Sequence, residues 1–229
     1  EPIADFIDLA LIGEGEEMNN ELLALLRTAK AEGWSKQAFL EKASQIGGVY
    51  VPSFYKPVYN DDCTINHFDV HPGAPEKVTK RIIADMNSVH FPLSPIVPST
   101  EVVHDRGNLE LFRGCVRGCR FCQAGHVYRP IRAKSPELLA EQGKALLKNT
   151  GCQDITLLSL SSSDYRCLSE LCDELLGYCE PRSIGLSLPS LRADNFSMDI
   201  MHRIQKTRKS GLTFAPEAGS QRLRDAINK

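Results

Sequence analysis

From residue 108 onward, strand-like apolar runs alternate with amphipathic helical stretches, and this alternation constrains the fold more than any other feature. "NLELFRGC", "DITLLSL", "SIGLSL" and "GLTFAP", near residues 109, 154, 183 and 210, each precede a segment with apolar residues at helical spacing. The first such helix is expected to start at Ser135-Pro136-Glu137, to bury Leu139, Gly143, Leu146 and Leu147, and to stop at Gly151. Leu168, Leu171, Cys172, Leu175, Leu176 and Cys179 form the second stripe, and Phe196, Ile200 and Ile204 the third. Ser220 caps a fourth helix carrying Leu223 and Ile227. Strands that each feed a helix must run parallel, because only a crossover of that length returns the chain to the same edge. The fold class is α/β, part of a barrel or a doubly wound sheet, and in either the chemistry belongs at the C-terminal ends of the strands.

The first ninety residues are less regular. "FIDLALIGEGEEMNNELLALLRTAKAEGW" reads as a strand over 7–12, a turn at Gly13 and Gly15, and a helix carrying Leu22, Leu23 and Leu26. Ser35 caps a second helix expected to run through Ile46, and "VYVPSFYKPVY" is β-rich but broken by Pro52 and Pro57. Residues 60 to 75 carry turn formers around "TINHFDVH", and 75 to 89 are expected to form a short helix. The prolines at 92, 95 and 98 forbid a regular helix and suggest a boundary near residue 95, giving domains 1–95 and 96–229.

Composition narrows the class. With 229 residues, 42% of them apolar, the chain can bury one core plus a smaller module. A formal charge of -2 supplies no global field that would draw in nucleic acid, so a nucleic-acid partner stays open and rests on local patches. The sequence has neither an apolar run of about 18 residues nor the layout of a signal peptide, and a cytoplasmic protein with no membrane partner is expected. Eight cysteines could make four disulfides, yet a chain of this length does not need staples and three of the eight crowd into residues 115 to 122. Reduced thiols are the better reading.

Those three, Cys115, Cys119 and Cys122 in "RGCVRGCRFCQAGH", stand at i, i+4 and i+7. The spacing would place them on one helix face as small core residues, but Gly114, Gly118 and Gly125 oppose a helix at about 1 kcal/mol each. A structural zinc site wants four ligands, commonly two C-x2-C pairs; one pair is present here, with His126 as a candidate fourth ligand. An iron–sulfur cubane held by three thiolates leaves one iron open, and glycines let the backbone wrap closely around it. Arg113, Arg117 and Arg120 would offset the thiolate charge.

The C-x3-C-x2-C loop at the end of a first βα strand, with Phe121 just before the last cysteine, resembles the signature of the radical S-adenosylmethionine (SAM) enzymes. The longer stretches "VVHDRGNLELFRGCVRGCRFCQAGHVYRPIRAKSPE", "SLPSLRADNFS" and "LTFAPEAGSQRLRDAINK" are similar to a poorly characterised family of that group with a B12-binding-like region before its barrel. The resemblance implies a partial (βα)6 barrel with four units present, preceded by the end of a Rossmann-like module near "GEGEE". Because two such units would be missing and the chain opens at Glu1, it looks like an internal piece of a longer protein.

The same resemblance implies an enzyme that binds a [4Fe–4S] cluster through Cys115, Cys119 and Cys122 and cleaves SAM reductively to methionine and a 5′-deoxyadenosyl radical, on RNA, protein or a small metabolite. A reductant such as flavodoxin or ferredoxin is the implied partner. Phe121 would lie beside the adenine. The family's usual Gly-Gly-Glu stretch is replaced by "SLSSSDY", where Ser159, Ser161 and Ser162 are the candidates for the SAM amino group. Arg192 would pair with the SAM carboxylate and Glu217 with ribose hydroxyls or the amino group. "DVHPG" departs from the cobalamin signature because Ala74 stands where glycine should, so it reads as a turn and cobalamin lacks support in this chain. "VVHDRGN" reads as strand and turn rather than a His-Asp pair. Cys172 and Cys179 belong to the core, and Cys63, Cys152 and Cys167 have no partner at ligand spacing. The alternative function is a non-catalytic iron–sulfur or zinc binding module.

Overall fold

A computed structural model describes residues 3–100, 102–192, 194–195, 197–207 and 214–229. The chain divides into two compact units, Glu1–Ala84 and Asp85–Lys229. The prolines at 92 to 98 lie within the second.

In the first unit, the strand expected over 7–12 is reduced to β1 (Ala10–Leu11), and helix α1 (Gly15–Glu32) follows it. Ser35 caps α2 (Lys36–Ala43), its hydroxyl accepting from the Ala38 amide at 3.2 Å; the helix stops three residues before Ile46. β2 (Val49–Tyr50) returns antiparallel to β1. Leu40, Ala43, Val49, Val51 and Phe54 are buried together as the core of this unit.

Two expectations fail here. Residues 65–70 are not turn but strand: β3 (Tyr55–Tyr59) and β4 (Ile65–Val70) pair antiparallel. The turn formers act only over the tip, where Asn60 donates to the Thr64 carbonyl at 2.8 Å and the Asp62 carboxylate accepts from the Thr64 amide at 3.0 Å. The short helix expected over 75–89 is reduced to one 3-10 turn at Met86–Ser88, and residues 75–84 form no helix. That segment is drawn out by Arg81, which bridges Gly13 in parallel and gives its guanidinium to Glu17 and Glu21, both at 2.7 Å. Glu14 accepts from the Ile83 amide at 2.6 Å, so Glu14 and Glu17 hold the segment at 81–83 rather than cradle a phosphate. Of "DVHPG", Asp69 and Val70 end β4 and the rest is a turn, with Ala74 donating to the His71 carbonyl and the His71 ring stacked on Phe54 at 4.5 Å.

The second unit carries the alternating pattern. "NLELFRGC" splits into β5 (Gly107–Glu110) and β6 (Phe112–Arg113), and the cysteine loop follows with the single turn α3 (Ala124–Val127). β7 (Arg132–Ala133) closes the loop by pairing antiparallel with β6. Then come α4 (Pro136–Thr150), β8 (Asp154–Leu158), α5 (Leu168–Cys179), β9 (Gly185–Ser187), α6 (Met198–Thr207) and α7 (Gln221–Ala226). β5, β8 and β9 form one parallel sheet in that order, as the strand–helix alternation requires. A parallel bridge from Leu191 to Phe214 extends the series at the fourth predicted strand, whose residues 211–213 lie outside the described residues, as does Phe196.

Ser135 and Ser220 cap α4 and α7 as their sequences predict, and Gly151 takes the left-handed conformation that ends α4. The sheet is covered by Leu139, Leu147, Leu171, Leu175 and Leu176, all at most 3% exposed. Each such leucine is worth about 2 kcal/mol of burial. Among the described residues, no helix is long and apolar enough to cross a membrane.

Candidate functional site

The cysteine loop leaves the C-terminal end of β5, at the face where parallel α/β sheets place their chemistry. From Gly114 to Gln123 its backbone is neither helix nor strand, so the three thiols do not share a helical face. Two glycines make this path possible. Gly114 has φ +100°, and a Cβ there would stand 2.5 Å from the Tyr128 carbonyl oxygen; one on Gly125 would stand 2.7 Å from that of Arg117. The two ends of the loop are therefore drawn together at distances no side chain permits.

Cys119 is buried, while Cys115 and Cys122 are half-buried, and all three are free thiols. His126 is exposed on α3. Among the described residues no three His, Cys, Asp or Glu side chains converge as a single-ion site would need. Three thiols on one irregular, glycine-closed loop match the donor set of a three-cysteine iron–sulfur site and are one ligand short of the four that a structural zinc takes.

Behind the thiols lies an ionic network. Arg117, between the first two cysteines, donates to both oxygens of Asp164 at 2.9 and 2.5 Å, and to Asp194 at 3.4 Å. Asp164 also accepts from Ser161 Oγ at 2.7 Å and Asn195 Nδ2 at 3.1 Å. Arg192 donates to both oxygens of Asp194, at 2.9 and 2.8 Å, and its Nη1 lies 3.9 Å from Cys119 Sγ. Burial by itself would raise the Asp164 pKa. The hydrogen bonds from Arg117, Ser161 and Asn195, with the Arg117 charge, outweigh it and hold the carboxyl down at about 2.

The structure sets the other candidates around this network unevenly. Phe121 is exposed on the loop, and Arg192 follows β9. Ser159, Ser161 and Ser162 follow β8; Ser161 is spent on Asp164, while Ser162 is fully buried and donates to the Leu157 carbonyl at 3.1 Å. Glu217 is exposed with φ +65° and stands 3.5 Å from the Lys229 ammonium. α7 anchors the loop from far along the chain: Arg120 donates through its amide to Ile227 and its guanidinium to Ala226, and Asn228 donates to the Gly118 carbonyl at 2.9 Å. Cys172 and Cys179 are fully buried, and burial pushes their thiols up to about 12 and about 11, which keeps them protonated and inert.

Sequence reasoning missed Asp164 and Asp194. A signal for them exists: residues 111 to 136 hold five arginines and a lysine without one acid, so carboxylates had to come from elsewhere in the fold. Asp164 is the sole acid in "SLSSSDY".

Comparison with known proteins gives two family matches. Residues 1–52 match the family described as radical SAM proteins, N-terminal, and residues 109–229 match the radical SAM superfamily. Over its whole length the chain is 31% identical to the uncharacterized protein MJ0966 of Methanocaldococcus jannaschii, of which it spans 42%.

Proposed function

The chain belongs to the radical SAM superfamily, and from that premise we propose that Cys115, Cys119 and Cys122 hold a [4Fe–4S] cluster at which SAM is cleaved reductively. The observation that carries the reading is the placement of three free thiols on one irregular loop at the C-terminal end of the first parallel strand. When bound, cluster and SAM would supply one-electron scission of a sulfonium carbon–sulfur bond and a carbon radical able to take hydrogen from a substrate.

This chain's own residues bind and orient. Cys115, Cys119 and Cys122 would hold the cluster, and Phe121 would offer its exposed ring to the adenine of SAM. Arg192 is the cation for the SAM carboxylate, already aimed toward Cys119 by Asp194. Ser159 and Ser161 edge the amino-group position after β8, with Ser162 supporting their loop from within, and Glu217 reaches from the segment before α7 for ribose. Electrons come from a flavodoxin- or ferredoxin-like reductant in the cytoplasm, and the modified substrate is RNA or protein. The parallel sheet is the N-terminal part of a (βα)6 barrel, and residues 1–52 end a preceding Rossmann-like region.

The test is anaerobic reconstitution of the full-length protein. Wild type is expected to bind about four irons with broad visible absorbance and, when reduced, to turn SAM into 5′-deoxyadenosine. Alanine at Cys115, Cys119 or Cys122 should abolish both. Unchanged iron in all three variants, or a colourless protein holding stoichiometric zinc, overturns the reading.

A further inference from the structure

We propose that Asp164 is a positioning residue for the cysteine loop: acting through Arg117, it fixes the segment between the first two cysteines to the end of β8 before any cluster arrives. The inference rests on the cluster reading only for its holo-protein readouts.

Three observations carry it. The Asp164 side chain is 7% exposed and gains nothing from solvent, yet its two oxygens take two bonds from Arg117, one from Ser161 and one from Asn195. A buried carboxylate with four donors is set in one geometry, and removing a single partner leaves charge uncompensated. Its cationic partner lies within the cysteine motif itself, two residues after Cys115 and two before Cys119. Third, Arg117 is also the residue whose carbonyl stands 2.7 Å from the Cβ position of Gly125 and accepts from Arg129 at 3.1 Å, so its backbone sits at the closure of the loop. Fixing the Arg117 side chain therefore fixes the closure.

Asp164 and Arg117 act on the loop as one device but carry opposite charges, and this separates positioning from general damage. In the reconstituted full-length protein, Asp164→Asn and Arg117→Gln should each speed iron loss to a chelator about tenfold, the scale of one charged hydrogen bond. The double variant should lose iron no faster than either single variant. The cluster potential should move in opposite directions, more positive in Asp164→Asn, where a nearby negative charge is gone, and more negative in Arg117→Gln. Additive iron loss, or potentials shifting the same way, overturns the proposal.

If wild type binds no cluster, the function proposed above falls and the clamp is read in the apo protein instead. Cys119, 8% exposed, should then be labelled by a maleimide about tenfold faster in both variants, quantified by peptide mass. Equal labelling in folded wild type and folded variants refutes the clamp. Because Asp164 is buried, Asn195→Ala serves as a milder variant that withdraws one donor from an exposed position. It should raise labelling in the same direction by a smaller factor, and no rise would count against the proposal.

Discussion

Asp164 has a folded pKa of about 2 against an ordinary 3.8, and the consequence for acid stability has a definite sign. A depressed carboxyl contributes stability that is present above its unfolded pKa and lost as pH falls toward the folded one, here between about 4 and 2. The full contribution is about 2 kcal/mol for a buried group. The unfolding free energy of wild type should therefore fall between pH 6 and pH 2.5 by about 1.5 kcal/mol more than that of Asp164→Asn, the rest being lost only below pH 2.5. Denaturant titration at the two pH values measures it, and parallel losses would show that Asp164 is not the group responsible. This residue was legible only in part. The run of arginines in residues 111–136 asks for acids, but which acids answer depends on how β5 and β8 align, and Glu110 opposite Leu158 is a register that no local pattern states.

The elements divide by how local their causes are. Ser35, Ser135 and Ser220 announce helix starts by chemistry confined to three or four residues, and all three caps form. The six-residue stripe of α5 likewise reads directly as a buried face. Elements set by a distant partner carry no such local signal. β4 looks like turn because its Asn, His and Asp side chains are polar, and it is strand because β3 pairs with it. The helix expected over 75–89 gives way, as far as residue 84, to the pairing of Arg81 with α1. Since Cys172 and Cys179 sit within the α5 stripe at 0% exposure, replacing either by alanine should cost about 1 kcal/mol in unfolding free energy. Iron content after reconstitution should not change. Iron loss from a variant that remains folded would place these thiols at the cluster instead.

For the molecule as a whole, the site is assembled from widely separated parts of residues 85–229: the loop after β5, the ends of β8 and β9, and the segment after α7. Occupying the thiols should therefore slow hydrogen exchange not only within residues 114–126 but also at the amides of Ile227 and Asn228, which donate to Leu223 and Asp225 while the Ile227 carbonyl accepts from the Arg120 amide. Exchange measured by mass spectrometry on apo and reconstituted protein checks this, and protection confined to the loop would show that α7 is not coupled to it. The docking of α7 also bears on how the protein is made. Gly118 and Arg120 wait for partners 106 to 110 residues further along, and at about 5–20 residues per second that is roughly 5–20 s of synthesis. During that interval the cysteine loop exists without the partners that hold Gly118 and Arg120. Loop and anchor are thus made in a fixed order, thiols before Asn228, and the pace of the ribosome sets how long the three thiols go without the contacts that the α7 segment brings.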